Sequence, residues 1–266
     1  MSGPIEVTSR EGVRSELGER GFAFVDAARY HVPPSLQPSL AELAGAFDRL
    51  EPDAYLRDGA RFRQRRYGRF LLGHEGWLQD LPTAPYFQTA EHNSYAGGIP
   101  RRIADLEPAT RRNEMLARLI RFDASVFETQ IQGPFDHWRV EVHLFRVWAR
   151  WDEPGLPTPE GVHRDGNDFF AVHLLRREAV RGGETTVYDP SSHPLRTRTL
   201  REPLDTLLVN DREVLHGVSP IVPADDRKPG HRDVAVIDFF VIRDPRRLRS
   251  GLATDPTAQV PTSHAQ

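Results

Sequence analysis

At 266 residues the chain is long enough to bury a substantial core as one large domain or two small ones, and 38 % hydrophobic with 27 % charged residues describes a soluble globular protein. It has no Cys, and Lys228, followed by Pro229, is its one lysine. Disulfides, thiolate-ligated metals, thiolate nucleophiles and a G-K-[ST] phosphate loop are therefore excluded, and a Schiff-base lysine has almost no candidate. A net charge of −3 offers no field for nucleic acid or an anionic membrane.

In chain order, Glu11 to Arg20 reads as a short helix stopped by Gly21, and Phe22-Ala23-Phe24-Val25 as a strand. Leu36, Leu40, Leu43, Phe47 and Leu50 recur at helical spacing around a Pro38-Ser39 start. A further helix is expected from Thr110 to about Phe122, with Met115, Leu116, Leu119 and Ile120 facing inward. From Trp138 the period shortens to two, predicting strands at Trp138–Trp148, Val162–Asp165, Phe169–Leu175, Thr185–Tyr188, Leu204–Val209, Val214–Ser219 and Asp233–Val241. Many short strands separated by Gly, Asn and Asp turns argue for a β-sandwich or barrel with helices packed on it, an α+β class that is mainly β. Residues 1–250 are expected to form one domain and 251–266 a disordered tail. No apolar export signal or membrane-length run is present, so the cytoplasm is the expected location.

Dinucleotide, nucleophile-elbow and H-E-x-x-H patterns are absent, which leaves imidazole and carboxylate chemistry. The strongest pattern is Glu160-Gly161-Val162-His163-Arg164-Asp165-Gly166. On a strand, residues i and i+2 share a face, so His163 and Asp165 can meet one metal ion from the same side. His173, His193 and His216 compete as third ligand. His216, between strand residues and just before Gly217, is favoured over His193 in a loop and His173 in an apolar strand. Two imidazoles and one carboxylate are the facial set of non-haem Fe(II) oxygenases. A second H-x-D, His231-Arg232-Asp233, lacks a credible third ligand, since only His264 follows it. Arg232 opens an apolar strand, where a cation needs a partner: the far carboxylate of a bound oxoacid, or a neighbouring acid such as Asp233 or Asp225.

The segments E-G-V-H-R-D-G-N-D-F, R-R-E-A-V-R-G-G-E-T-T-V-Y-D, V-L-H-G-V-S-P and H-R-D-V-A-V-I-D-F resemble the bacterial Fe(II)/2-oxoglutarate dioxygenases that include the L-isoleucine 4-hydroxylase and related free amino-acid hydroxylases. The runs Arg61 to Phe70 and Asn93 to Arg101 look like further blocks of that family, and the likeness extends from about Gly21 to Asp244. It implies a double-stranded β-helix (jelly-roll) core backed by N-terminal helices. It also implies Fe(II) on His163, Asp165 and His216, with 2-oxoglutarate and O₂ as cosubstrates and Arg232 on the distal carboxylate. The implied reaction is hydroxylation of a free L-amino acid or small derivative, in preference to halogenation because Asp165 is present. Glu160 is a candidate for the substrate ammonium, Arg146 or Arg66 for its carboxylate, and Asn167 for the mouth of the site. A dioxygenase acting on a carrier-bound or peptidyl residue and a non-catalytic jelly-roll binding protein are the alternatives. No nucleic acid or membrane partner is expected.

Overall fold

A computed structural model describes residues 6–225 and 228–244, so the expected tail lies outside the described residues. In chain order the elements are β1 (Glu6–Val7), α1 (Arg10–Arg20), β2 (Phe22–Val25), β3 (Tyr30–His31), α2 (Gln37–Ala46), β4 (Glu51–Pro52), β5 (Arg63–Gly73) and β6 (Leu78–Leu81). Then come α3 (Pro108–Arg111), α4 (Glu114–Phe127), β7 (His137–Ala149), β8 (Phe169–Glu178), β9 (Val180–Gly182) and β10 (Glu184–Tyr188). The remainder is β11 (Pro194–Thr199), β12 (Thr206–Asn210), β13 (Leu215–Val218), β14 (Ile221–Pro223) and β15 (Gly230–Ile242).

Eight strands form one antiparallel sheet in the order β2-β12-β8-β15-β7-β5-β4, with β6 beside β5, and a three-stranded sheet β11-β10-β13 faces it. This is the jelly-roll arrangement, with helices on one sheet. Side-chain alternation sorts the large sheet into two faces. Val140, Val142 and Leu144 of β7, with Ala235, Ile237 and Phe239 of β15, join Leu116, Ile120 and Phe127 of α4 in one core. Phe170 and Leu174 of β8, Leu207 of β12 and Val234 of β15 pack from the opposite face toward Val187 of β10. The cavity described below opens on this second face.

Local chemistry explains where the elements differ from the sequence expectation. The helix expected from Thr110 begins instead at Glu114, because Asn113 Oδ1 accepts the Leu116 N–H at 3.0 Å as an N-cap, and it runs on to Phe127. Gly21, at φ +76°, ends α1 as expected. Val162–Asp165 is not a strand: only His163 pairs, across to His216, and Gly161 and Gly166 at φ +85° and +84° interrupt the extended run on either side. The Arg-rich run from Arg61 is a strand, β5, lying beside β7 in the sheet. Among the described residues no helix is long and apolar enough to cross a membrane.

His173 sits on the helix side of β8, completely buried, with one ring nitrogen 2.8 Å from Thr206 Oγ1 and the other 2.9 Å from Asp123 Oδ2 on α4. It ties helix to sheet and faces away from His163, which removes it as a candidate ligand. Replacing His173 with Ala leaves the Asp123 carboxyl buried without its partner and is expected to cost about 3–5 kcal/mol. Denaturant unfolding checks the loss; metal titration of the same variant should match the wild type.

Candidate metal and cosubstrate site

The backbones of His163 and His216 exchange two hydrogen bonds of 3.0 Å, and this bridge brings the loop after Glu160 against β13. β13 is itself held by β10, with Val187 opposite His216. As a result His163 Nε2 lies 3.4 Å from Asp165 Oδ1, and His216 Nε2 lies 3.6 Å from Asp165 Oδ2. One ligand atom from each of the three falls within 4.8 Å of the others. His163 Nδ1 sits 3.0 Å from the Gly161 carbonyl, and donating its hydrogen there leaves the Nε2 lone pair directed at the shared centre. The His216 ring packs against Phe170 with 4.7 Å between centroids, which keeps it from turning.

Electrostatics around the three residues suit a cation. Burial disfavours a charged His163, but Asp165 and Glu160 outweigh it and raise its pKa to about 9. Burial, then the adjacent His163, push His216 down to about 3. Asp165 is held below the usual carboxylate range: burial opposes this, and the histidines overcome it. A divalent metal would take the place of the His163 proton between an anionic carboxylate and two imidazoles. Two nitrogens and one oxygen with the remaining positions open match Fe(II) better than a closed structural site.

Asp211 was not anticipated from the sequence. Its carboxylate accepts the backbone N–H groups of Asp165 at 3.2 Å, Gly166 at 2.7 Å and Asn167 at 3.0 Å, and so shapes the turn that carries Asp165. Gln88 supports the same carboxylate from another loop, its Nε2 donating to Asp165 Oδ1 at 3.3 Å. A short Asn-Asp turn after a strand was visible in the sequence, but its reach to residue 165 depends on how β12 returns beside β8.

The cavity between the two sheets spans about 870 Å³ of empty space, its open mouth included, and has the triad in its wall. Arg232 reaches one end of it, 2 % exposed, with its Nε unbonded and no carboxylate within ion-pair distance among the described residues. Burial, reinforced by Arg177, lowers its pKa to about 10, so it remains a cation. Asp233, the neighbouring acid considered as its partner, points to the other face and is engaged by Arg146. Thr185 Oγ1 lines the same cavity, buried and likewise without a partner. A guanidinium and a hydroxyl left open in a wall that also carries Val147, Val172, Val234 and Val236 can receive the distal carboxylate of 2-oxoglutarate.

Of the residues expected to touch the substrate, Glu160 lines the cavity, 3.2 Å from His163 Nε2. Asn167 is buried beside the triad loop, held by its backbone on Asp211, and its side chain is not part of the cavity wall. The structure corrects the other two. Arg146 is even-numbered on β7, like Val142 and Leu144, so it faces away from the cavity. There it grips Asp233 through Nε at 2.7 Å and Nη2 at 2.8 Å, and Asp48 at 2.9 Å. Arg66 turns to the outer side of β5, donating to the carbonyls of Arg49 and Asp105. Its neighbours Arg63 and Arg65 are the ones that face the cavity. Once the run is assigned as a strand, period-two alternation from buried Tyr67 identifies them.

A family model described as 2OG-Fe dioxygenase matches residues 44–238. The chain is 29 % identical over 238 residues to the 3(1)-hydroxy-L-isoleucine 4-dioxygenase of Pantoea ananatis (strain AJ13355), covering 85 % of this chain and 94 % of that protein. Among solved structures, a bsmA homologue from Methylobium petroleophilum PM1 superposes with a TM-score of 0.76 at 28 % identity, over 90 % of this chain and 95 % of that one. IDO from Bacillus thuringiensis shares the fold with a TM-score of 0.75 at 21 % identity, over 88 % of this chain and 99 % of its own.

Two substitutions separate the roles assigned above. Asp211→Ala releases three backbone donors around Asp165 and is expected to weaken Fe(II) binding by about 10–100-fold in a metal titration. Arg146→Ala strips a buried carboxylate of its partner, so unfolding should show a loss of about 3–5 kcal/mol while metal affinity stays unchanged.

Proposed function

The chain belongs to the 2OG-Fe dioxygenase family, and we propose that it hydroxylates an unactivated C–H bond of a free L-amino acid or small amino-acid derivative. In this reading His163, Asp165 and His216 hold Fe(II), and Arg232 with Thr185 receives the distal carboxylate of 2-oxoglutarate. The observation that carries it is the combination, in one cavity, of an open two-His, one-Asp set and a buried arginine that has no acid among the described residues. The family uses Fe(II), 2-oxoglutarate and O₂; bound iron supplies oxidative decarboxylation of the cosubstrate to succinate and CO₂, coupled to oxygen insertion into the C–H bond.

The protein's own contribution is binding, orientation and exclusion of water. Arg232 and Thr185 fix the cosubstrate at one end, while Val147, Val172, Val234 and Val236 surround it with apolar wall. Asp211 and Gln88 set the position of Asp165, and the Gly161 carbonyl sets the tautomer of His163. No side chain needs to act as nucleophile or general base in the central step, in keeping with a chain without Cys. The amino-acid assignment is supported by Glu160 in the cavity wall, where it can meet an ammonium, and by the hydroxy-L-isoleucine dioxygenase activity of the Pantoea ananatis relative.

Incubation of the Fe(II)-loaded protein with 2-oxoglutarate and a panel of L-amino acids is expected to give succinate and a product heavier by one oxygen, read by mass spectrometry. Failure of every member to elicit succinate despite bound Fe(II) would refute the proposal. Asp165→Ala is expected to abolish succinate formation, and full activity in that variant would remove Asp165 from the ligand set. Arg232→Ala should raise the KM for 2-oxoglutarate by about 100-fold, the scale of losing a buried charged partner.

A further inference from the structure

The cavity contains a second buried arginine without an acid. Arg101 is 1 % exposed and lines the same cavity as Arg232. Its Nη2 donates to Gln88 Oε1 at 2.7 Å, its guanidinium lies 4.7 Å above the centre of the Tyr86 ring, and its Nε has no partner. No carboxylate lies within ion-pair distance of it among the described residues. The neighbouring arginines differ: Arg63 Nε is 2.8 Å from Asp53 and Arg65 Nη1 is 3.5 Å from the same carboxylate, while Arg65 Nη2 also meets His143 Nδ1 at 2.9 Å. One amide oxygen and one ring face are neutral compensation for a cation that burial costs several kcal/mol.

We propose that Arg101 anchors a free carboxylate of the substrate, in a subsite separate from the one that Arg232 provides for 2-oxoglutarate. The inference rests on the dioxygenase reading above and specifies what its substrate must carry. The site is built rigidly. Tyr86 and Arg101 exchange two backbone hydrogen bonds of 2.8 Å, which ties both ends of the intervening loop together. Gln88 Oε1 accepts from Arg101 and from Asn93 Nδ2 at 3.1 Å, so its Nε2 is turned toward Asp165. A carboxylate on Arg101 is thereby separated from the metal carboxylate by one amide group and the hydrogen bonds at its two ends. Glu160 lies within electrostatic reach of Arg101 and next to His163, and Arg101 with Glu160 thus forms a cation and anion pair of handles suited to an α-amino acid.

The consequence is a choice between substrate forms. A thioester or amide, as in a carrier-bound or peptidyl residue, would leave Arg101 buried and unpaired, and a site built for a charged group rejects an uncharged analogue strongly. Free acids should therefore be accepted and acylated forms refused.

The test uses enzyme loaded with Fe(II) and 2-oxoglutarate, and L-amino acids paired with their own carboxamides as probes. Thermal denaturation under nitrogen reads binding without turnover, and product mass in air reads turnover. At least one free acid is expected to raise the melting temperature and be oxidised, while its carboxamide is at least about 100-fold poorer. Arg101→Gln should raise the KM of that acid by a similar factor and leave the KM for 2-oxoglutarate unchanged, with Arg101→Lys recovering part of the loss. Because it removes an unpaired buried cation, Arg101→Gln should melt, without ligands, no lower than the wild type. Carboxamides equal to acids, no bound acid at all, or an Arg101→Gln variant that melts lower yet binds acids normally would each overturn the subsite. Oxidation of carboxamides but not acids would overturn it while leaving the dioxygenase reading standing. Acids bound through Arg101 with no succinate formed would do the reverse.

Discussion

Adjacent residues on a strand cannot share a face, and the rest of this molecule follows from that constraint acting on one long antiparallel sheet. On β15, Arg232, Val234, Val236 and Asp238 face the cavity, while Asp233, Ala235, Ile237 and Phe239 face the helices. On β7 the same rule separates His143, Phe145 and Val147 from Val142, Leu144 and Arg146. The register pairs Asp233 with Arg146 across the two strands, so the acid nearest to Arg232 in sequence is consumed on the opposite side. Arg232 is left with an open guanidinium because its neighbour is geometrically unable to serve it.

Buried charge in this protein then divides into two kinds. Arg63 and Arg65 share Asp53, Arg146 holds Asp233, and His173 holds Asp123; these pairs tie strands, loops and helices together. Among the described residues Arg232 and Arg101 have no such partner, and both line the cavity. A buried cation without an acid is costly, and where it lines a cavity it marks a place that a ligand can complete. Both arginines share that cavity with His163, Asp165 and His216, so two acids can be held near one centre.

Much of this was legible in the residues. The shift of period near Trp138 located most of the strands, the helix stripes located α2 and α4, and the His163, Asp165 and His216 set emerged as a group because i and i+2 spacing was combined with a histidine in a later strand. The same i and i+2 geometry survives although Val162–Asp165 forms a single bridge instead of a strand. The substrate side was read less well. The charge density of the run from Arg61 draws attention to Arg66 without saying which of its residues turn inward. Arg146 was chosen because an arginine in an apolar strand looks available until its cross-strand neighbour is known. Nothing local shows what Asp211, Gln88 and Arg101 act on, since each reaches a residue at least thirteen positions away in the chain.

By itself, then, the sequence determined the chemical inventory, with imidazole, carboxylate and guanidinium as its working groups, together with the local periods and turns. Those are properties of neighbouring residues and need no knowledge of distant ones. Only the tertiary structure decided which charges are neutralised and which remain open. That outcome depends on strand register: a shift of one residue exchanges the two faces of the sheet, and no short-range pattern specifies which strand lies opposite which.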